Sequence, residues 1–418
     1  VDIKSAAIAR DLVILMLLDG LSEVATDVAA KVKKRKVLLC LFYTYLSSIM
    51  PSNLHEVLQE KIGETKTALG KGTLPPFIDI PAMYRAEIVE YLDDWQSKAQ
   101  QEFPITRVQA EIVAERLRSK TQAMLHGRPS GFEDVQPGTL MSKQLLFEAQ
   151  TGALVLPAPY NNLLDPGLRE AYDKFDPQKP RSAQREAVKA IHDTWSTNPT
   201  LVDLPWERDR EPGAFDVGDN PCTSCHKLIL MMFENGFRPR GAMPQTSWSE
   251  APIYWFLSVA QALKQMRDRI KIEACVGDVT AVLEQIKYGA VGHRQQYAMS
   301  EPHAQALQPE GAYPQIYDRI HLSNVPDYIG GTLTSHLYAL QMTHPDKTSF
   351  VTFTCLRNPP GFNTVASFDA EYVALYAEKT LSMRSMFGFP GKNFRPCPCP
   401  CVHTIDGTTK PSRVSTKP

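Results

Sequence analysis

From Ile253 to Leu356 the spacing of apolar residues switches back and forth between the helical and the strand period, and few folds accommodate that alternation. Ile253–Asp268 repeats at helical spacing, and "IKIEACVGD" follows at once, with Ile270, Ile272, Ala274 and Val276 alternating onto one face. A helix over Val279–Lys287, a polar insert, a strand over Tyr317–Val325, a helix from Thr332 to Met342 and the strand "SFVTFTCL", Ser349–Leu356, complete the series. Helices between consecutive strands serve as crossover connections, which predict parallel pairing. The expected fold class is therefore α/β, with a Rossmann-like parallel sheet in the C-terminal half.

The N-terminal part predicts a largely helical lobe. Ile8, Leu12, Leu15 and Met16 recur at helical spacing, and a second periodic run covers Val37–Ile49 and stops before Pro51. Asn53 with Glu56 three residues on predicts a cap for a helix whose Leu54, Val57, Leu58 and Ile62 share a face. Beyond the Gly/Pro-rich connection Gly70–Pro76, helices are expected over Tyr84–Gln101 and Arg107–Leu125. From 127 to 250 prolines and glycines are frequent and Ser182–Ser196 is the main periodic piece, so long loops with few helices are expected. The domain organisation read from this is 1–126 helical lobe, 127–250 loop-rich connection, 251–390 Rossmann-like domain and 391–418 irregular tail.

Composition narrows the partners. The 418 residues are 43% hydrophobic, enough for a sizeable core, and carry a net charge of -1, so no polyanion partner for the whole chain and no nucleic acid is expected. The apolar run Leu12–Leu18 is bracketed by Asp11 and Asp19 and reads as a buried helix, neither signal peptide nor membrane span. Eight scattered cysteines, most in apolar context, fit a reducing compartment, cytoplasm or nucleus.

Polar groups cluster where the expected strands stop. Gly277 and Asp278 close one strand, and Ser323, Asn324 and Asp327 close the next in "YDRIHLSNVPDYIGG". In an open parallel sheet ligands bind beyond the carboxyl ends of strands, where helix N-termini offer free backbone donors. A glycine there lets a ligand approach closely and an aspartate accepts from an amine. The same residue types are also preferred as N-caps.

The runs "IKIEACVGDVTAVLEQI", "GHRQQYAM", "YDRIHLSNVPDYIGG" and "FVTFTCLRNPPGF" resemble a large fungal family whose members often carry a MYND zinc finger beside a domain of uncharacterised function. That domain is similar in turn to the N-terminal domain of an axonemal dynein assembly factor. The resemblance covers residues 250–376 well and the opening "VDIKSAAIARDLVILMLL" loosely, with Asp2 nearest to an acidic residue that ends a family strand. It implies a class I methyltransferase-type sheet binding S-adenosylmethionine. Gly277, Asp278, Asp318 and Asp327 would then hold the cofactor, Asp278 through the adenine amine, and Ser323 with Asn324 would sit nearest the transferred methyl. The glycine-rich loop such enzymes place after their first strand is not found; "IGG" at 329–331 comes too late in the order. It would precede Val1, come from a partner, or be lost with the activity. Two functions follow: a methyltransferase-like protein of unknown acceptor, or a non-catalytic assembly or protein-interaction module, with a protein partner, that retains a degenerate version of the fold.

The remaining motifs point less far. "CTSCH" matches the haem-attachment spacing and also supplies three zinc-type ligands in Cys222, Cys225 and His226, whereas the prolines of "CPCPCVH" keep Cys397, Cys399 and Cys401 from closing on one ion. No metal site is expected, and the MYND finger itself is not found. Tyr297, His293 and Arg294 in the polar insert can wall a substrate pocket or lie on the surface. "KVKKRK" at 31–36 reads as the solvated lead-in to a buried helix, with a nuclear-import or acidic-surface patch as the alternative. Trp255 and Phe256 read as core; with Trp248 and Tyr254 they are the alternative of a stacking surface.

Overall fold

A computed structural model describes residues 4–23, 27–114, 140–156, 160, 166–176, 182–202, 250–292, 313–322, 325, 329, 331–344 and 349–352. The chain divides into two compact units, one over residues 4–274 and one from 275 onward.

The N-terminal unit is built around a helix that is apolar over most of its surface. In α1, Ser5–Ser22, the buried residues Ile8, Ala9, Leu12, Val13, Leu17, Leu18 and Leu21 point round most of the axis, so the helix must be sheathed to be stable. It packs against α2 (Val28–Leu46), α3 (Ser52–Lys71), α4 (Ala82–Ser97) and α10 (Glu250–Met266). α3 offers Leu54, Leu58, Ile62, Thr65 and Leu69, one residue per turn. Pro51 stands at its cap without a side-chain bond, so the Asn53 cap expected from the sequence is a position inside the helix. Gly72 closes α3 in the left-handed conformation at φ 67°, where glycine carries no Cβ penalty. α10 contributes Ile253, Phe256, Ala260 and Leu263 at helical spacing.

After α4 come α5 (Ala99–Glu102) and α6 (residues 105–114). The region expected to be long loops with a few helices holds α7 (Leu140–Thr151), α8 (Pro166–Lys174) and α9 (Ser182–Thr194), the last on the periodic stretch Ser182–Ser196, with Phe147 of α7 meeting the ring edges of Tyr172 and Phe175, each at 5.2 Å.

Two polar devices secure the C-terminal end of α2, whose last carbonyls have no intrahelical donors. Arg10 Nη2 on α1 donates to the carbonyls of Thr44 and Tyr45, both at 3.1 Å, placing a cation at the negative end of the helix dipole. Asn198, fully buried, donates through Nδ2 to the carbonyls of Thr44 at 3.1 Å and Ser47 at 2.8 Å, and more weakly to Tyr43 at 3.4 Å. Its Oδ1 accepts from the Thr200 backbone N–H and hydroxyl. Asn198 is held by β3 (Trp195–Thr197), antiparallel to β1 (Ile49–Pro51) in the register Ile49↔Thr197.

Among the described residues the parallel sheet expected in the C-terminal half is not formed, and the Rossmann-like, class I methyltransferase-type fold class is corrected. Among the described residues the protein is mostly helical, and every sheet has two strands. β4 (Ile272–Glu273) pairs in parallel with β2 (Ile78–Asp79) of the helical unit. β5 (Arg319–His321) pairs in parallel with β6 (Phe350–Thr352), joined through the helix α12 (Gly331–Ala339). The last strand–helix–strand unit is thus present locally, but no described sheet contains both β4 and β5. A central parallel strand is buried on both faces. Here Ile270, Ile272 and Ala274 are half-buried, Arg319 and His321 exposed, and the buried pair is Cys275 with its neighbour Val276, which breaks the alternation.

Removing the carbonyl donors of Asn198 leaves buried acceptors short of partners, so Asn198→Ala is expected to cost about 2–3 kcal/mol. Urea denaturation will show this as a lower midpoint at unchanged slope. A second prediction concerns His55. Its Nε2 lies 3.1 Å from the side-chain nitrogens of Gln59 and Gln100, which also donate to the carbonyls of Trp95 at 3.2 Å and Thr197 at 2.8 Å. Those amides donate to Nε2, and the neutral ring carries its proton on Nδ1. Burial lowers the His55 pKa below 6.5, opposed by Glu56. The unfolded chain therefore takes up the proton first, and stability falls as pH drops through 6.5 toward the lowered folded value. His55→Gln will flatten that limb of the stability–pH curve.

Candidate functional site

In the second unit, Asp278 is the N-cap of α11, Val279–Lys287. Its Oδ1 accepts from the backbone N–H of Thr280 at 2.9 Å and of Ala281 at 3.2 Å, and from the Thr280 hydroxyl. The Thr280 hydroxyl and these amides hold the carboxyl below its usual 3.8. Gly277, at φ 141°, turns the chain into the helix; a Cβ there would lie 3.2 Å from Val282 Cγ2, so the space beside it is filled by α11 itself. Asp318 is exposed just before β5, beside the bridge between Tyr317 and Thr343. Ser323, Asn324 and Asp327 lie outside the described residues, as do His293, Arg294, Tyr297, Trp248, Cys222, Cys225, His226 and the C-terminal cysteines. The common rim expected to join Asp278 to Ser323 and Asn324 required a sheet containing β4 and β5, which is not formed among the described residues.

The more developed site lies in the N-terminal unit, where the sequence held an acidic-surface patch only as the alternative to a solvated lead-in. α2 has two unlike halves. From Val37 onward it is buried except for Tyr45, while its first turns are exposed and basic. Asp27 starts it, accepting from the Ala30 N–H at 2.7 Å. Lys31, Lys34, Arg35 and Leu38 then fall at i, i+3, i+4 and i+7 on one face. Together with Leu21 of α1, Leu257 of α10 and Tyr160 they line an open, shallow pocket of about 500 Å³. Its walls are partly leucine and partly cationic.

Each wall has a cause. Lys34 Nζ donates to the Glu23 carbonyl at 2.8 Å, which seats that cation at the C-terminal end of α1. The Arg35 guanidinium stacks over the Tyr160 ring at 4.7 Å. Burial raises the Tyr160 pKa, with Arg35 opposing and Glu250 adding to the rise. Glu250, at the start of α10, has its own carboxyl raised by burial. "KVKKRK" is thus part of the helix, solvated as expected but organised: the signal available in the sequence was the 3–4 spacing of its cations ahead of Leu38. Of the neighbouring aromatics, Phe256 is core at 2% exposure, whereas Trp255 is 40% exposed. Among the described residues no group of three or more metal-binding side chains occurs, and no helix is long and apolar enough to cross a membrane. Cys40 and Cys275 are buried, and burial pushes the Cys40 thiol up to about 12.

Compared with family models, curated proteins and solved structures, the chain matches none of them. The resemblance read from residues 250–376 receives no support from these comparisons.

Asp278→Ala is expected to cost about 1 kcal/mol of stability, and Asp278→Asn clearly less, because asparagine caps almost as well. Urea denaturation of the three proteins at neutral pH checks this ordering. The carboxylate's contribution is complete above 3.8 and disappears as pH falls through the lowered folded value.

Proposed function

We propose that the protein is a non-catalytic binding module whose N-terminal helical unit docks an acidic protein partner on the basic face of α2. The single observation that carries this reading is the pocket itself: Lys31, Lys34 and Arg35 line it together with the apolar side chains of Leu21, Leu38 and Leu257. Sites that bind through shape and charge combine an apolar concavity with a few placed polar groups. The fixed cations give selection by charge and faster encounter with an acidic surface. The use of Asp278 as a helix cap also supports the reading, since the residue expected to meet an adenine amine already makes three hydrogen bonds within its own helix.

Two titrations of the whole chain test it. Poly-L-glutamate is expected to bind and to weaken steadily with added salt, as contacts between partly exposed charges do. S-Adenosylmethionine is expected to give no heat. Heat from the cofactor that Asp278→Ala abolishes, or no binding of poly-L-glutamate at low salt, would overturn the proposal.

A further inference from the structure

The surface around the pocket says more about the partner than its charge. Val28 and Val32 of α2 are 77% and 51% exposed, unusual for β-branched apolar residues in a helix. With Lys31, Arg35 and Leu38 they form a stripe at i, i+3, i+4, i+7 and i+10, rising about 15 Å along the helix at 1.5 Å per residue. At the inner end of the stripe the pocket opens, with Leu257 of α10, itself 39% exposed, on its far wall. Lys31 and Arg35 are one turn apart, the spacing at which a second helix presents two acidic side chains from one face. Among the described residues Lys31 has no ion-pair partner.

Resting on the docking reading above, we infer that the partner segment is an acidic amphipathic helix, laid along the first half of α2 with one large apolar side chain in the pocket and carboxylates meeting Lys31 and Arg35. Three features select this occupant. The alternation of cation and valine along α2 complements a helix carrying leucine and glutamate on adjacent positions, the helix-in-groove mode of recognition. A pocket of about 500 Å³ accepts an aliphatic or aromatic anchor. The stripe continues past the pocket to Val28, so a small amphiphile would leave the exposed valines uncovered. A bilayer surface is the competing occupant for any basic, apolar helix face. It is disfavoured because only Val28, Val32 and Leu257 offer exposed apolar area on this face, Leu21 and Leu38 being covered at 2% and 5% exposure.

Fluorescence anisotropy with the full chain tests this. The probe is a fluorescein-labelled peptide with leucine at heptad positions a and d and glutamate elsewhere; the control is the same composition scrambled to destroy the apolar face. The amphipathic peptide is expected to bind about tenfold more tightly than its scrambled isomer. Lys31→Glu and Leu257→Ser are each expected to weaken it about fivefold, and thermal melts, unchanged for the exposed Lys31 and lowered only slightly for the 39% exposed Leu257, show that both variants fold. Equal binding of the two peptides, no binding of either, or binding unaffected by both substitutions overturns the inference. Binding of poly-L-glutamate alone would leave the docking reading standing while sinking the amphipathic helix. Displacement of the peptide by vesicles of equal phosphatidylserine and phosphatidylcholine, with Lys31→Glu losing the vesicles, would overturn it in favour of a membrane surface.

Discussion

A helix that must be sheathed in apolar neighbours is the constraint on which this molecule depends. α1 has buried leucines, valines and isoleucines over most of its circumference, with Asp11 exposed, and each large apolar side chain left in water would forfeit about 1.5–3 kcal/mol. Three neighbours close in sequence, α2, α3 and α4, do not complete the sheath, and α10, more than two hundred residues downstream, packs against it as well. The Arg267 guanidinium just beyond α10 reaches Asp19 of α1, with Nη1 to Oδ1 at 3.2 Å and Nη2 to Oδ2 at 3.3 Å. Burial raises the Asp19 pKa and Arg267 works against that rise, as expected of a pair formed at the edge of the core.

Recruitment of α10 gives a physical reason why β4 and β5 share no sheet among the described residues. The strand that follows α10 is carried with it, and Ile272 and Glu273 pair with Ile78 and Asp79 beside the helical unit. The remaining strand–helix–strand unit keeps its parallel pairing, and the His321 Nδ1 to Thr352 Oγ1 contact of 2.9 Å links its two strands. The ligand rim that a longer sheet would have created was a property of strand order, and strand order was set by the needs of α1.

The same packing divides α2 into a half that is structure and a half that is surface. Arg10 and Asn198 lock the carbonyls at its C-terminal end into the core, so the helix is anchored where its sequence is apolar. Its basic start continues the same helix and presents Lys31, Lys34 and Arg35 at helical spacing. A lysine-rich coil of the same composition would spread those charges over many conformations and lose entropy on binding; a pre-ordered helix loses less.

Much of the local structure was legible in the sequence. Helical spacing located α1, α3, α4 and α9, the turn at Asp278 was read correctly as a capping position among its alternatives, and the parallel relation of β5 and β6 followed from the helix between them. Periodicity reports which face of an element is apolar, and that is a local property. It does not report which neighbour covers the face. That choice, made by the largely apolar surface of α1 in favour of α10, turned an expected α/β domain into a helical unit with small strand pairs. It also brought Leu21, Leu38, Tyr160 and Leu257 together from four separate stretches of chain, because a pocket arises from packing over long sequence separations and leaves no period in any one of them.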